Sequence, residues 1–138
     1  MLVQLTKIQN FIDRHHVLSL ATSNQEELSV CSLFYAYDKS NQIFVVASSE
    51  ETTHIQHVLH NTQVAGTIVL ETKQIGKIQG LQFRGKFTPL EGRGLSKIYF
   101  KAFPTALVMK PKLWQIQVEY FKMTDNTLGF GKKIIWEL

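Results

Sequence analysis

Three histidines recur at steps of three, at His54, His57 and His60, directly after the hydroxyl-rich run ASSEETTH (Ala47 to His54). On a helix, side chains three apart can face one another, which is how a metal set begins. Successive steps of three drift around the helix, however, and no Cys or acidic pair nearby completes a set. The expectation is therefore no metal site, with His57 and His60 on the polar face of a surface helix. ASSEETTH itself suggests a different chemistry. A strand ends there, hydroxyls gather at Ser48, Ser49, Thr52 and Thr53, and a helix begins. Backbone N–H groups at a helix start, joined by hydroxyls, form a cradle for phosphate. His54 would add positive charge beside a bound anion. Plain N-capping, which needs one hydroxyl, is the alternative that the residues leave open.

A second candidate is TDNTLGFGKKIIW (Thr124 to Trp136), where Gly129 and Gly131 flank Phe130 and Lys132 and Lys133 follow. A phosphate-binding loop needs GxxxxGK, then Ser or Thr and a helix. Here the chain runs into the strand-like KIIWE, so a turn between two strands is the better reading. Cys31 sits among apolar neighbours with no base or helix start to activate it, and reads as a small hydrophobe. His15 and His16 follow the first helical stripe and suit the negative end of a helix. No GxSxG-like turn presents a serine nucleophile.

The chain that must position these groups has 138 residues, 44% of them hydrophobic and 19% charged, enough for one domain with its own core. The formal net charge of +4 suits an anionic ligand or a weak nucleic-acid contact and by itself proves neither. Lys and Arg are scattered, with only KPK (Lys110 to Lys112) and GKK (Gly131 to Lys133) as dense stretches, which argues against nucleic acid as the partner. A single cysteine can form no internal disulfide, and no basic segment leads into an apolar core at Met1. No apolar run approaches the roughly 20 residues of a membrane span. The expectation is a cytoplasmic protein with no membrane contact.

Leu5, Ile8, Phe11 and Ile12 give a helical stripe over Leu2 to His15. Strands are expected at Val17 to Thr22, Leu28 to Tyr37, Ile43 to Ser48, Val64 to Glu71, Lys77 to Leu90, Trp114 to Met123 and Lys133 to Glu137. The second has apolar residues on both faces and reads as covered on both sides. DKSN (Asp38 to Asn41) turns a hairpin. A helix follows Ser48, with Ser49 as its cap, Glu50 and Glu51 in its first turn, and Ile55, Val58 and Leu59 on its inner face. Another spans Arg93 to Phe103 and stops at Pro104. Gly80 and Gly85 mark bends in the fifth strand. Short connections favour antiparallel pairing. The fold class is mainly β (α+β): six or seven antiparallel strands with two or three short helices, the long bent strand at Lys77 to Leu90 suggesting closure into a small barrel, which the resemblance described next implies is a split β-barrel.

The order VLSLAT, LSVCSLFYAYD, QIFVVASSEETTHIQHVLHN, VAGTIV and IQGLQFRGKFTPLEG resembles the pyridoxamine 5′-phosphate oxidase-like FMN-binding split-barrel superfamily. GLQFRGKFTPLEG and TDNTLGFGKKIIW resemble its small bacterial YhbP-like branch. The resemblance covers nearly the whole chain. It implies a homodimer with two FMN sites at the subunit interface. By this resemblance Ser32, Leu33 and Phe34 would line the isoalloxazine ring. Gln79 and Gln82 fall where polar ring contacts occur, and Trp114 opens the strand near the interface. The superfamily's Ser-Arg-Lys stretch, which holds the FMN phosphate, maps onto Thr52, Thr53 and His54. Two basic side chains are thus replaced, and the proline after the matched Asn61 is Thr62. Where the oxidase grips its substrate with an arginine, this chain has TDN, with Asn126. Asp125, Asn126 and Lys132 would lie at the rim of the partner's pocket. The implied function is an FMN-dependent oxidoreductase acting on a small molecule. The alternative is a non-enzymatic split barrel that has lost FMN and holds haem or another anionic planar ligand.

Overall fold

The computed structural model describes residues 2–138, without the side chains of Leu2 and Arg93. Ile8, Phe11 and Ile12, spaced for one helical face, are fully buried on α1 (Leu2–Asp13) and join the main core. The chain then alternates as strands do: β1 (Val17–Asn24), β2 (Glu27–Asp38), β3 (Ile43–Ala47), α2 (Thr53–Val58), β4 (Gln63–Val69), β5 (Gln79–Pro89), α3 (Arg93–Ala102), β6 (Leu113–Asp125) and β7 (Lys133–Glu137). Every strand pair is antiparallel. The strand order is β3-β2-β1-β4-β5-β6-β7, and an added β3–β6 pairing closes the ring. This is the expected split barrel with seven strands.

The split lies on β6. Its residues 113–117 pair with β3 and close the ring, while residues 120–124 pair with β7 instead. Residues facing inward, among them Leu18, Leu20, Phe44, Phe83, Phe87, Ile116, Val118 and Phe121, fill the interior. Gly66 sits where an added Cβ would lie 2.3 Å from the Phe83 ring and 2.4 Å from the Ser19 carbonyl oxygen. A second apolar layer lies outside the ring, where Tyr99 of α3 packs with Ala36, Ile43 and Val45. That is why β3 is buried on both faces.

Several expectations need correction. The outer face of β2 is covered only at its C-terminal end, beneath α3; Leu28, Val30 and Phe34 remain exposed. The hydroxyl-rich run enters α2 later than expected: its N-cap is Thr52 rather than Ser49, Glu50 and Glu51 lie in the preceding turn, and Leu59 is exposed. That turn is held by the Thr52 hydroxyl donating to the Ser49 carbonyl at 2.8 Å. The first helix ends at Asp13 rather than His15. Of the two glycines in β5, only Gly85 marks an irregularity, a register shift between Arg84 and Gly85; Gly80 pairs regularly with Val69 and Thr124. An added Cβ on Gly85 would lie 2.2 Å from the Gln117 carbonyl oxygen. A 3-10 stretch, Pro104–Met109, follows α3 and was not foreseen. The run TDNTLGFGKKIIW is a turn: Asn126–Leu128 makes one 3-10 turn, and Gly129 and Gly131 take φ of 129° and 73°.

Candidate functional site

The predicted site residues fall in three places. The first is the strand–turn–helix unit after β3. Ser48 Oγ lies 2.5 Å from His54 Nε2, and Thr52 Oγ1 3.4 Å from the same nitrogen. Trp114, fully buried, donates its indole N–H to the Ser48 carbonyl at 3.0 Å. The hydroxyls and the imidazole therefore bond chiefly to one another, and Thr53 points to solvent. Burial, with His57 nearby, pushes the His54 pKa down, so the ring stays neutral rather than cationic. Lys112, whose carbonyl accepts from Ser48 N at 3.1 Å, is paired through its ammonium with Glu50 at 2.5 Å and lies over the Trp114 ring at 4.7 Å. The run thus brings its hydroxyls together but offers no free cation to a phosphate.

His57 corrects the expectation of a polar-face residue. It is 2% exposed: Nε2 donates to Glu27 Oε1 at 2.6 Å, and Nδ1 shares a hydrogen bond with the buried Thr22 hydroxyl at 2.9 Å. The bonds tie α2 to the β1–β2 hairpin. His60 is exposed, as expected. Among the described residues no group of three His, Cys, Asp or Glu side chains could hold a metal ion. Cys31 is half-buried against the core, and burial raises its pKa, which keeps the thiol protonated.

The second place is the outer face of the sheet. Successive strand residues alternate sides, so Ser32 and Phe34 point outward while Leu33 packs inward against the core. The three cannot line one ligand from the same side. Phe34 stacks on His16, ring centroids 5.9 Å apart, and meets Phe103 at 5.5 Å. His15 bonds the Phe11 carbonyl at the end of α1, whereas His16 turns to this face. His16 and Phe103 also line a hollow of about 610 Å³ between α1, β2 and α3. Registry places Ser32 opposite Ser19, Ser19 opposite Thr67, Thr67 opposite Gln82 and Gln82 opposite Lys122. The adjacent row runs Val30, Ala21, Ala65, Arg84 and Tyr120. Between the rows lies a hollow of about 410 Å³ floored by Ala21, Ala65 and Gly66 and bounded by Thr67, Gln82, Arg84, Tyr120 and Lys122.

The third place holds the rest. Gln79 donates to Asp125 Oδ1 at 3.3 Å, and the Asn126 amide donates to the Ile75 carbonyl at 2.8 Å. Asn126 Oδ1 also accepts from Gly131 N at 2.9 Å, fastening the glycine turn. Lys132 is exposed beside them. Sequence reasoning overlooked Arg84, Lys122 and Tyr120. Their signal was the alternation in LQFRGK and VEYFKM, which sends polar and charged side chains to the side opposite the core.

No family model matches the chain. Curated relatives do. The UPF0306 protein YhbP of Escherichia fergusonii is 36% identical over 135 residues, spanning 96% of this chain and 92% of the relative. A UPF0306 protein of Photorhabdus laumondii is 37% identical over 134 residues, spanning 94% and 93%. Among solved structures, a heme binding protein from Mycobacterium smegmatis superposes with TM-score 0.78 at 14% identity, over 97% of this chain and 57% of that one. An FAD-binding protein from Mesorhizobium loti superposes with TM-score 0.71 at 14% identity, over 86% and 90%. HutZ, the heme storage protein of Vibrio cholerae, gives 0.65 at 16%, over 83% and 89%. At these identities the likeness is one of fold, the split barrel.

Proposed function

The chain belongs to the UPF0306 (YhbP) family, and on that premise we propose that it binds FMN between two copies of itself, against the sheet face that one copy leaves open. The observation that carries this reading is the outer strip of β2, where Leu28, Val30 and Phe34 are 82%, 73% and 55% exposed. A row of apolar side chains along one strand is a surface that a partner or a planar ligand covers. A second copy over Leu28 and Val30 and a flat ring against Phe34 would remove it from water. Ser32 and Gln82 supply polar groups on the same face.

The residues fit FMN unevenly. Its ring suits the aromatic and small side chains of β1 and β2. Its phosphate finds no free cation in Ser48, Ser49, Thr52, Thr53 and His54, whose polar groups are engaged among themselves or open to water. Flavin-binding and haem-binding proteins share this fold. Bound FMN supplies electron and hydride transfer to small molecules. The chain's own part is to exclude water from the ring with Phe34 and a partner's surface, and to leave the 610 Å³ hollow beside Phe103 for a small molecule. An oxidoreductase is the activity this arrangement supports best.

One observation favours a second reading, haem. His16 is exposed, lies parallel to Phe34 within 13°, and borders the same hollow, so an imidazole stands free beside an apolar plane. Parallel titrations of the purified protein with FMN and haem, read by thermal shift and absorbance, separate the two. FMN saturation with a raised Tm supports the first reading. A Soret band with indifference to FMN supports the second, and indifference to both removes both.

A further inference from the structure

We propose that Arg84 and Lys122 form an anion subsite on the outer sheet face, which holds the phosphate or carboxylate end of the planar ligand in place of the hydroxyl run before α2. The identity of the planar part rests on the reading above; the subsite itself does not.

Four observations place it. Arg84 stands opposite Tyr120 and Gln82 opposite Lys122 on paired strands, so the two cations are diagonal neighbours on one face. The Arg84 guanidinium lies over the Tyr120 ring, 4.1 Å from its centroid, which fixes the plane of its donors while leaving their edge open. Neither cation is in an ion pair among the described residues, although Glu137 of β7 is opposite Tyr120 in the same row. The floor between them is cut short at Ala21, Ala65 and Gly66, which makes room for a ligand of about 410 Å³. Thr67 and Gln82 add neutral hydrogen-bonding groups at the wall.

The spacing suits one ligand with a flat end and a charged end. Neighbouring strands lie roughly 4.8 Å apart, so a ring over Ser19 and Ala21 of β1, which stand in the same two rows as the cations, is about 10–15 Å from Arg84 on β5 and Lys122 on β6. An aromatic ring joined to a phosphate through a short polyol spans that interval. The chemistry favours a bidentate grip by Arg84 with Lys122 as a point charge, the arrangement that recognises phosphate and carboxylate. The hydroxyl run before α2 offers only neutral groups that already have partners.

The test compares FMN with riboflavin, which differ by the phosphate alone, on wild-type protein, Arg84→Gln and Lys122→Gln, by fluorescence titration. Circular dichroism melts of each variant verify folding; both side chains lie on the outer face, so native melts are expected. Wild type is expected to prefer FMN by about tenfold or more, because only FMN carries the phosphate that the two cations would hold by charge-assisted hydrogen bonds. Each variant is expected to lose most of that preference while keeping its affinity for riboflavin. Variants that retain the full preference overturn the subsite. If wild type binds neither flavin, the FMN reading fails, and NMR titration with inorganic phosphate decides the subsite alone. Shifts confined to the Arg84 side chain and to the amides of Thr67, Gln82 and Lys122 support it, and unmoved resonances overturn it.

Discussion

Replacing His57 with Ala removes the tie between α2 and the β1–β2 hairpin, and its cost follows from the geometry. The imidazole is 2% exposed and bonds Thr22, itself 3% exposed, at 2.9 Å. Truncation leaves the Thr22 hydroxyl buried without its partner, which costs about 1–3 kcal/mol. The void left by the ring adds about 1 kcal/mol, because neighbours such as Ile55 and Val58 are already fully packed. The bond to Glu27 contributes little, because that side chain is 70% exposed and returns to water. The sum is about 2–4 kcal/mol, read as a lowered urea midpoint at constant m-value. Thr22→Val deletes the other partner while keeping shape, so the double variant should cost about 1 kcal/mol or more less than the sum of the singles. A loss below about 0.5 kcal/mol for His57→Ala, or strict additivity, would refute the claim that this buried bond holds the helix in place.

Other consequences are simpler to check. Gly85→Ala should cost more than about 3 kcal/mol or prevent folding, because the new methyl meets a backbone oxygen at 2.2 Å and neither strand can withdraw; a melt near wild type would contradict this. His54 has a folded pKa below its ordinary value of 6.5, so the unfolded chain binds the proton first as pH falls; stability should be full above pH 6.5 and drop below it, and His54→Gln should flatten that slope in pH-resolved urea titrations. Lys132→Ala should leave the melting temperature unchanged, since the side chain is exposed, and should weaken FMN binding; unaltered binding would return this lysine to solvent.

Much of the fold was legible because it rests on period and punctuation. Alternation in β5 and β6, the stripe of α1 and the DKSN turn each specified an element that formed within a few residues of its expected bounds. What stayed hidden depends on long-range contact. Nothing local to ASSEETTH says that Ser48 would be occupied by His54 and by the indole of a residue 66 positions away. His57 looked polar because spacing cannot reveal that Thr22 and Glu27 wait beneath the helix. The apolar residues of β2 looked doubly covered, yet the layer formed with α3 takes in Ala36 near its C-terminal end while Leu28 and Val30 stay exposed, a long-range docking that β2 alone does not encode. The cations of the outer face were individually ordinary; only the registry of β5 on β6 sets Arg84 and Lys122 around one hollow.

Sedimentation velocity with added FMN, monitored at both protein and flavin wavelengths, tests the central claim most directly. Flavin absorbance moving only with a species of twice the 15.8 kDa chain mass, at one flavin per chain, is the result predicted. Flavin that sediments with a monomer, or stays behind while the protein moves, would contradict a cofactor held between two copies on the open face of the sheet.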